Sequence, residues 1–238
     1  GANIVLADEE NYVTIVDDLL GKVTSKTRMV TLANPNNPTG TYLNSEQIRR
    51  IHAGLPSDVL FVIDGAYAEY VTHDDFENGT RLVDEFDNVI TTRTFSKIYG
   101  LSALRVGWAY CPTAIIDILQ RIRSPFNTNN AAMTAAIAAV KDTKYIEGIR
   151  EHTAKWQIRI EKKLGALGIN VVPSVTNFYF MNFNQCEGKS AREAASHLEA
   201  AGIIPRAVGA AGDNVLRITV GLDAENEAVI DALTSYMS

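Results

Sequence analysis

The stretch TTRTFSKIYGLSALRVGW, residues 91–108, places Lys97 between a run of β-branched residues and a glycine, with Arg105 further along the same stretch. Most lysines in folded proteins lie on solvated surfaces. A lysine that follows a predicted strand can instead bind a phosphate group, or act as a nucleophile toward a carbonyl group. The sequence on both sides of this stretch indicates which of these applies.

Short apolar runs alternate with helical patterns around this stretch, which is typical of βαβ units with a mostly parallel sheet. Strands are predicted at residues 29–35, 59–64, 88–95 and 106–111. Helices are predicted at residues 44–55, 81–86 and 113–121, the first of them capped by Asn44 or Ser45. The run at 59–64 does not alternate between polar and apolar residues, so we expect it to be covered on both faces.

The pattern changes near residues 123–130, after which the helical stretches are longer and the strands alternate more. Alternation at 177–183 and 215–220 predicts a mainly antiparallel sheet with one solvated face. Helices are predicted at 130–141, 143–166, 189–201 and 223–236. We therefore predict an α/β fold with two domains.

Residues 1–125 are predicted to form part of a larger domain with a mainly parallel sheet flanked by helices. Residues 126–143 are predicted to connect it to a smaller α+β domain at 144–238.

Composition and charge exclude several functional classes. The 238 residues carry a formal net charge of −6, which argues against binding to nucleic acid or to an anionic membrane. No apolar run approaches the ~20 residues of a membrane span, and the first residues lack a signal-peptide pattern. The 2 cysteines and 4 histidines show no metal-ligand spacing, so we expect no metal site and a cytoplasmic location.

Three polar residues come at the ends of three predicted strands. Asn37 lies in the segment after the first strand, Asp64 closes the second, and Lys97 follows the third. Because open α/β sheets bind ligands at the carboxyl ends of their strands, we expect these three groups at one rim. Each residue taken alone also fits a structural role, such as a turn, a cap or a solvated charge.

Together these groups have the chemistry that pyridoxal phosphate requires. The lysine can bind the aldehyde of the cofactor, and an aspartate buried at a strand end attracts a cationic ring nitrogen. Arg105 can hold the phosphate, with the hydroxyl groups of Thr94 and Ser96 as further donors.

Five segments, in this order and at these separations, resemble the fold type I pyridoxal-phosphate aminotransferases. NPNNPTG (34–40), DGAY (64–67) and TFSKIYGLSALRVGW (94–108) carry the likeness to the superfamily. SPFNTN (124–129) and VLRITVG (215–221) are similar to its histidinol-phosphate branch. The resemblance implies amino-group transfer between histidinol phosphate and 2-oxoglutarate or glutamate, in histidine biosynthesis, by a homodimer.

The resemblance also implies roles for the matching residues. Lys97 would bind the cofactor aldehyde and carry a proton between substrate and cofactor, while Asp64 would pair with the pyridine nitrogen. Asn37 and Tyr67 would donate hydrogen bonds to the phenolic oxygen. The cofactor phosphate would be held by Thr94, Ser96 and Arg105.

The same resemblance places substrate contacts on the smaller domain. Arg217 would bind a carboxylate or phosphate group of the substrate through a bidentate guanidinium, with Asn37 in the same pocket. Arg206 is either a second anion contact or a surface arginine on an edge strand. Asn177 begins a strand, and no role is assigned to it.

Two features depart from the family pattern. Gly65 stands where the family often has an acidic residue. The glycine-rich turn that binds the cofactor phosphate has no match, nor does a tyrosine that reaches the neighbouring subunit. We therefore expect the chain to correspond to the C-terminal two thirds of such an enzyme.

Other functions remain open at this point. Aromatic amino-acid aminotransferases and threonine-phosphate decarboxylases resemble the same branch. An aminotransferase-like effector domain of a transcription regulator, or an inactive remnant, would also carry these segments. What precedes Gly1 in the gene would separate the regulator from the enzyme.

Overall fold

The computed structural model describes residues 1–212 and 214–238 and divides them into two compact units. The first unit comprises residues 1–35 and 42–147, and the second comprises residues 36–41 and 148–238. The border between the two units lies after residue 147. The predicted domain borders, after residues 125 and 143, stay predictions.

The first unit is built on a four-stranded sheet. Before this sheet, the first unit contains a hairpin and a short helix that the sequence analysis did not predict. They are β1 (Glu9–Glu10), β2 (Val13–Thr14) and α1 (Val16–Gly21). The sheet contains β3 (Met29–Ala33), β4 (Leu60–Asp64), β5 (Val89–Thr94) and β6 (Gly107–Tyr110), in that spatial order. β3, β4 and β5 are parallel, and β6 is antiparallel to β5, so the predicted mainly parallel sheet is confirmed.

Helices of the first unit begin and end close to the predicted positions. They are α2 (Ser45–Ala53), α3 (Thr80–Glu85), α4 (Thr113–Ile122) and α5 (Asn130–Lys141). The side chain of Asn44 caps α2 by accepting a hydrogen bond from the Gln47 amide at 2.9 Å. The apolar face of α2 is buried against the sheet, where Ile48, Ile51 and Phe61 share one core cluster.

The long helix α6 (Thr143–Gly165) leads into the second unit. The remaining elements there are β7 (Asn170–Val172), β8 (Phe178–Asn182), α7 (Ala191–Ala200), β9 (Arg206–Ala207), β10 (Val215–Thr219) and α8 (Asp223–Met237). Their sheet has the order β7-β8-β10-β9, and every pair is antiparallel, as predicted. Among the residues that the structure describes, no helix is long and apolar enough to cross a membrane.

The prediction of one solvated face is wrong for β8, which is buried along its whole length. On one face, Tyr179 and Met181 belong to the core cluster formed with α6, α7 and α8. On the other face, the guanidinium of Arg217 lies over the Phe178 ring, 4.6 Å from its centre. Both faces of β8 are therefore covered, one by the core cluster and the other in part by the Arg217 side chain.

Candidate functional site

The carboxyl ends of β4 and β5 lie side by side, because Asp64 is the register partner of Thr92 in a parallel pair. Oδ1 of Asp64 accepts hydrogen bonds from the Thr92 hydroxyl at 3.2 Å and from the Ala66 amide at 3.1 Å. The expectation of a buried aspartate is wrong: Asp64 is exposed, since it lies at the rim of the sheet. Its carboxylate is thus held in place and open to a ligand.

Lys97 lies close to Tyr67, the third residue after Asp64. The amine Nζ is 5.1 Å from the centre of the Tyr67 ring, a distance at which a cation is attracted to an aromatic face. Tyr67 is buried and Lys97 is half-buried, so a buried ring lies beneath a partly exposed amine. This contact brings the predicted amine to the turn that carries the predicted carboxylate.

Thr94, the last residue of β5, forms a linked group with Ser96 and Arg105, which follow the strand. The Thr94 hydroxyl accepts a hydrogen bond from the Ser96 amide at 3.1 Å. Nη1 of Arg105 lies 3.4 Å from the Ser96 hydroxyl and donates to the Ser102 carbonyl at 2.7 Å. Arg105 has a left-handed backbone conformation with a φ of 53°, uncommon for a residue with a side chain. Two hydroxyl groups and a guanidinium, close together at the end of one strand, are donors suited to a phosphate.

The second unit brings Asn37, Arg206 and Arg217 into a second group. Arg217 donates a hydrogen bond to the side-chain oxygen of Asn37. Arg206 and Arg217 are register partners on β9 and β10, so their side chains leave the sheet on the same face. Like charges directly opposite each other are destabilising, and an anion bound to both would remove that repulsion. Asn177 lies outside this group, and its carbonyl accepts a backbone hydrogen bond at 2.8 Å from the residue after β10.

Arg93 is a residue near the site that the sequence did not reveal. Its side chain is 3% exposed, although it lies on the strand that ends at Thr94. Burial lowers the pKa of its guanidinium, while the nearby charges of Glu69 and Asp64 act in the opposite direction. The one signal in the sequence is a charged residue inside an otherwise uncharged strand.

A sequence model of the family "Aminotransferase class I and II" matches residues 3–233. The chain belongs to that family. It is 47% identical over 239 residues to the histidinol-phosphate aminotransferase of Rhodopseudomonas palustris (strain BisA53). It is 50% identical over 238 residues to the histidinol-phosphate aminotransferase of Rhodospirillum centenum. Each comparison covers 100% of this chain and 66% of the relative, so the chain spans just under two thirds of their length.

Solved structures share the fold of this aminotransferase-family chain. The histidinol-phosphate aminotransferase of Sinorhizobium meliloti, in complex with pyridoxal-5'-phosphate, matches with a TM-score of 0.85 and 32% identity. That match covers 94% of this chain and 61% of the other. The histidinol-phosphate aminotransferase of Clostridium acetobutylicum has a TM-score of 0.87 at 23% identity, over 96% of this chain and 69% of that one, which shows the fold alone.

Proposed function

We propose that the protein carrying this chain is a pyridoxal-phosphate-dependent aminotransferase. It moves an amino group between histidinol phosphate and 2-oxoglutarate or glutamate, in histidine biosynthesis. The observation that carries the proposal is the 45–50% identity, along the whole chain, to proteins named histidinol-phosphate aminotransferase. The likeness to this family also supports a homodimer and a cytoplasmic location as parts of the proposal.

The donor groups of the first unit fit pyridoxal phosphate. Lys97 offers an amine for the aldehyde, Asp64 a carboxylate for the ring nitrogen, and Arg105 a guanidinium for the phosphate, beside Thr94 and Ser96. When bound, the cofactor supplies an aldehyde that takes the amino group and a ring that accepts electrons from the substrate α-carbon. Lys97 would hold the cofactor through its Nζ, and the same amine would carry the proton that leaves the substrate.

Asp64 controls the charge of the ring nitrogen. Its Oδ1 accepts hydrogen bonds from the Thr92 hydroxyl at 3.2 Å and the Ala66 amide at 3.1 Å, and the carboxylate held in this way would pair with the ring N–H. The negative carboxylate keeps that nitrogen protonated. Its contribution is greatest when electrons move into the ring, so it lowers the barrier more than it strengthens binding.

The arginine pair of the second unit supplies the attraction for substrate anions. Histidinol phosphate carries a phosphate group, and glutamate and 2-oxoglutarate carry carboxylates; a guanidinium binds either kind of anion through paired hydrogen bonds. Asn37 fixes Arg217 by accepting one of its hydrogen bonds. The hydrogen bonds of Asn37 and Tyr67 to the cofactor stay predictions from the family likeness.

An assay of amino donors tests the proposal. The purified full-length protein that carries this chain, with pyridoxal phosphate and 2-oxoglutarate, is given histidinol phosphate, tyrosine or threonine phosphate. We expect kcat/KM for histidinol phosphate to exceed that for tyrosine by about 10- to 100-fold, the range for charge-assisted hydrogen bonds to a phosphate. Faster transfer from tyrosine, or loss of carbon dioxide from threonine phosphate, would assign another branch. No transfer from any donor, with the R. palustris relative active in parallel, would contradict the proposal.

A further inference from the structure

Arg93 places a positive charge inside the first unit, directly below the turn that carries Asp64. Its Nη1 donates to the Thr91 hydroxyl at 2.6 Å and to the Thr92 carbonyl at 2.8 Å. Its Nη2 donates to the Asn78 carbonyl, and its Nε lies 3.5 Å from the carboxylate of Glu69. A buried charge is costly unless it is paired and hydrogen-bonded, and here four groups from three parts of the chain meet it.

One of these acceptors links Arg93 to the candidate site. The Thr92 carbonyl also accepts a hydrogen bond from the Gly65 amide at 3.0 Å. That amide belongs to the peptide that follows Asp64, and the next amide, of Ala66, donates to the Asp64 carboxylate. The guanidinium and the turn after Asp64 therefore share a single carbonyl oxygen.

Gly65 has a steric reason to be glycine. A Cβ atom at this position would lie 2.0 Å from Nη1 and 2.7 Å from Cζ of Arg93. Its backbone is not in the left-handed region, unlike that of Gly40 or Gly79, so conformation does not demand glycine there. What demands it is the space that the guanidinium fills.

We propose that Arg93 is a positioning residue for Asp64, and that Gly65 provides the space that its guanidinium occupies. The inference rests on the proposed function, because it takes Asp64 as the carboxylate that meets the cofactor. Arg93 acts through the backbone: it fixes the Thr92 carbonyl, the carbonyl holds the Gly65 amide, and the amide sets the direction of Asp64.

Amide exchange in the cofactor-free chain tests the backbone link. In Arg93→Met, which keeps the apolar stem and removes the donors, the Gly65 and Ala66 amides should exchange with solvent about 10-fold faster. The Ile63 amide, inside β4, should keep its protection. Unchanged exchange at Gly65 would overturn the link. If Arg93→Met does not fold, Arg93→Lys should increase exchange at the same two amides by a smaller factor, because an ammonium only partly replaces the planar fork.

Thermal unfolding tests the steric part. Gly65→Ala should lower Tm by about 5 °C, and should lower it by less than half as much when combined with Arg93→Met. Gly21→Ala is the matched control, because a Cβ there meets nothing within 4 Å. An equal loss in both backgrounds would overturn the assignment of Gly65 to the Arg93 guanidinium.

Binding of pyridoxal phosphate tests the positioning role itself. Arg93→Met should raise the dissociation constant about 10-fold, and should add nothing in an Asp64→Asn background. Arg93→Lys should recover part of the binding. If Arg93→Met weakened binding equally in the parent and Asp64→Asn backgrounds, Arg93 would have a purely structural role. If Asp64→Asn alone leaves binding and transfer unchanged, the role proposed for Asp64 fails, while the exchange and unfolding measurements still decide the link between Arg93 and the turn.

Discussion

The two units of the chain use charged and polar groups in opposite ways. In the first unit a buried guanidinium, Arg93, is surrounded by acceptors, and an exposed carboxylate, Asp64, is held at the rim above it. In the second unit Arg206 and Arg217 are opposite each other on neighbouring strands near the surface. There the buried Tyr179 hydroxyl has no hydrogen-bond partner among the described residues. The first unit thus holds a buried guanidinium among its acceptors below an exposed carboxylate, and the second places two guanidinium groups side by side.

The largest effect should come from the amine of the first unit. Lys97→Ala should remove the covalent attachment of pyridoxal phosphate and lower transfer by at least ~100-fold, because the proposal assigns the proton transfer to its Nζ. Tm should hardly change, since the side chain is only half-buried. The measurement is the visible absorption band of the cofactor together with the transfer rate. Lys26→Ala, an exposed lysine of the same unit, is the control and should behave like the parent chain.

Asp64→Asn should have the next largest effect. The amide keeps the shape and an acceptor for Thr92 but loses the charge, so kcat should fall by about 100- to 1,000-fold with a smaller change in cofactor binding. Single-turnover and steady-state kinetics separate the two. Asp87→Asn, at the opposite end of β5, is the control. A loss confined to cofactor affinity would contradict the electronic role of the carboxylate.

Substitutions in the second unit should weaken substrate binding and leave cofactor attachment intact. Arg217→Ala should raise KM for histidinol phosphate by about 100-fold and Arg206→Ala by about 10-fold, as hydrogen bonds to charged groups are lost. The covalent attachment at Lys97 should persist in both variants. Arg192→Ala, an exposed arginine on α7, should leave KM unchanged. If either variant of the pair abolished cofactor attachment, the division of roles between the units would be wrong.

The smallest effect concerns stability alone. Burial raises the pKa of the Tyr179 hydroxyl, and the hydroxyl has no partner in the described part of the chain. Tyr179→Phe should therefore raise the free energy of unfolding by about 1 kcal/mol, since the desolvation penalty of the hydroxyl disappears. Denaturant unfolding measures this. A loss of stability would show that the hydroxyl is satisfied in solution.

The positions of helices and strands could be predicted from the sequence because local signals set them. The burial of each strand could not, because it depends on contacts with distant parts of the chain. Asn44 caps α2 as its residue type suggests, and the parallel strands end at one rim as their order requires. β8 shows that alternation does not guarantee a solvated face, since Arg217 covers Phe178 from another strand. β6, an edge strand of the described sheet, is exposed along its length, which its apolar residues did not indicate.

Some residues of the candidate site could likewise be predicted from the sequence, and others could not. The residue types at the strand ends indicated Asp64 and Lys97, because their chemistry can be recognised without contacts. The role of Arg93 could not be found in this way, since its acceptors at Asn78 and Glu69 come from segments that no local sequence pattern links to β5. Nor could the pairing of Arg206 with Arg217, because a two-residue strand carries too little pattern to fix its register.

The most direct test of the central claim is the chemical location of the bound cofactor. The purified chain is mixed with pyridoxal phosphate, its visible spectrum is recorded, and the mixture is reduced with borohydride and digested for peptide mapping. We predict a visible band that reduction bleaches, and one labelled peptide that contains Lys97. No band, or label spread over the exposed lysines, would contradict the claim that this chain builds the attachment site.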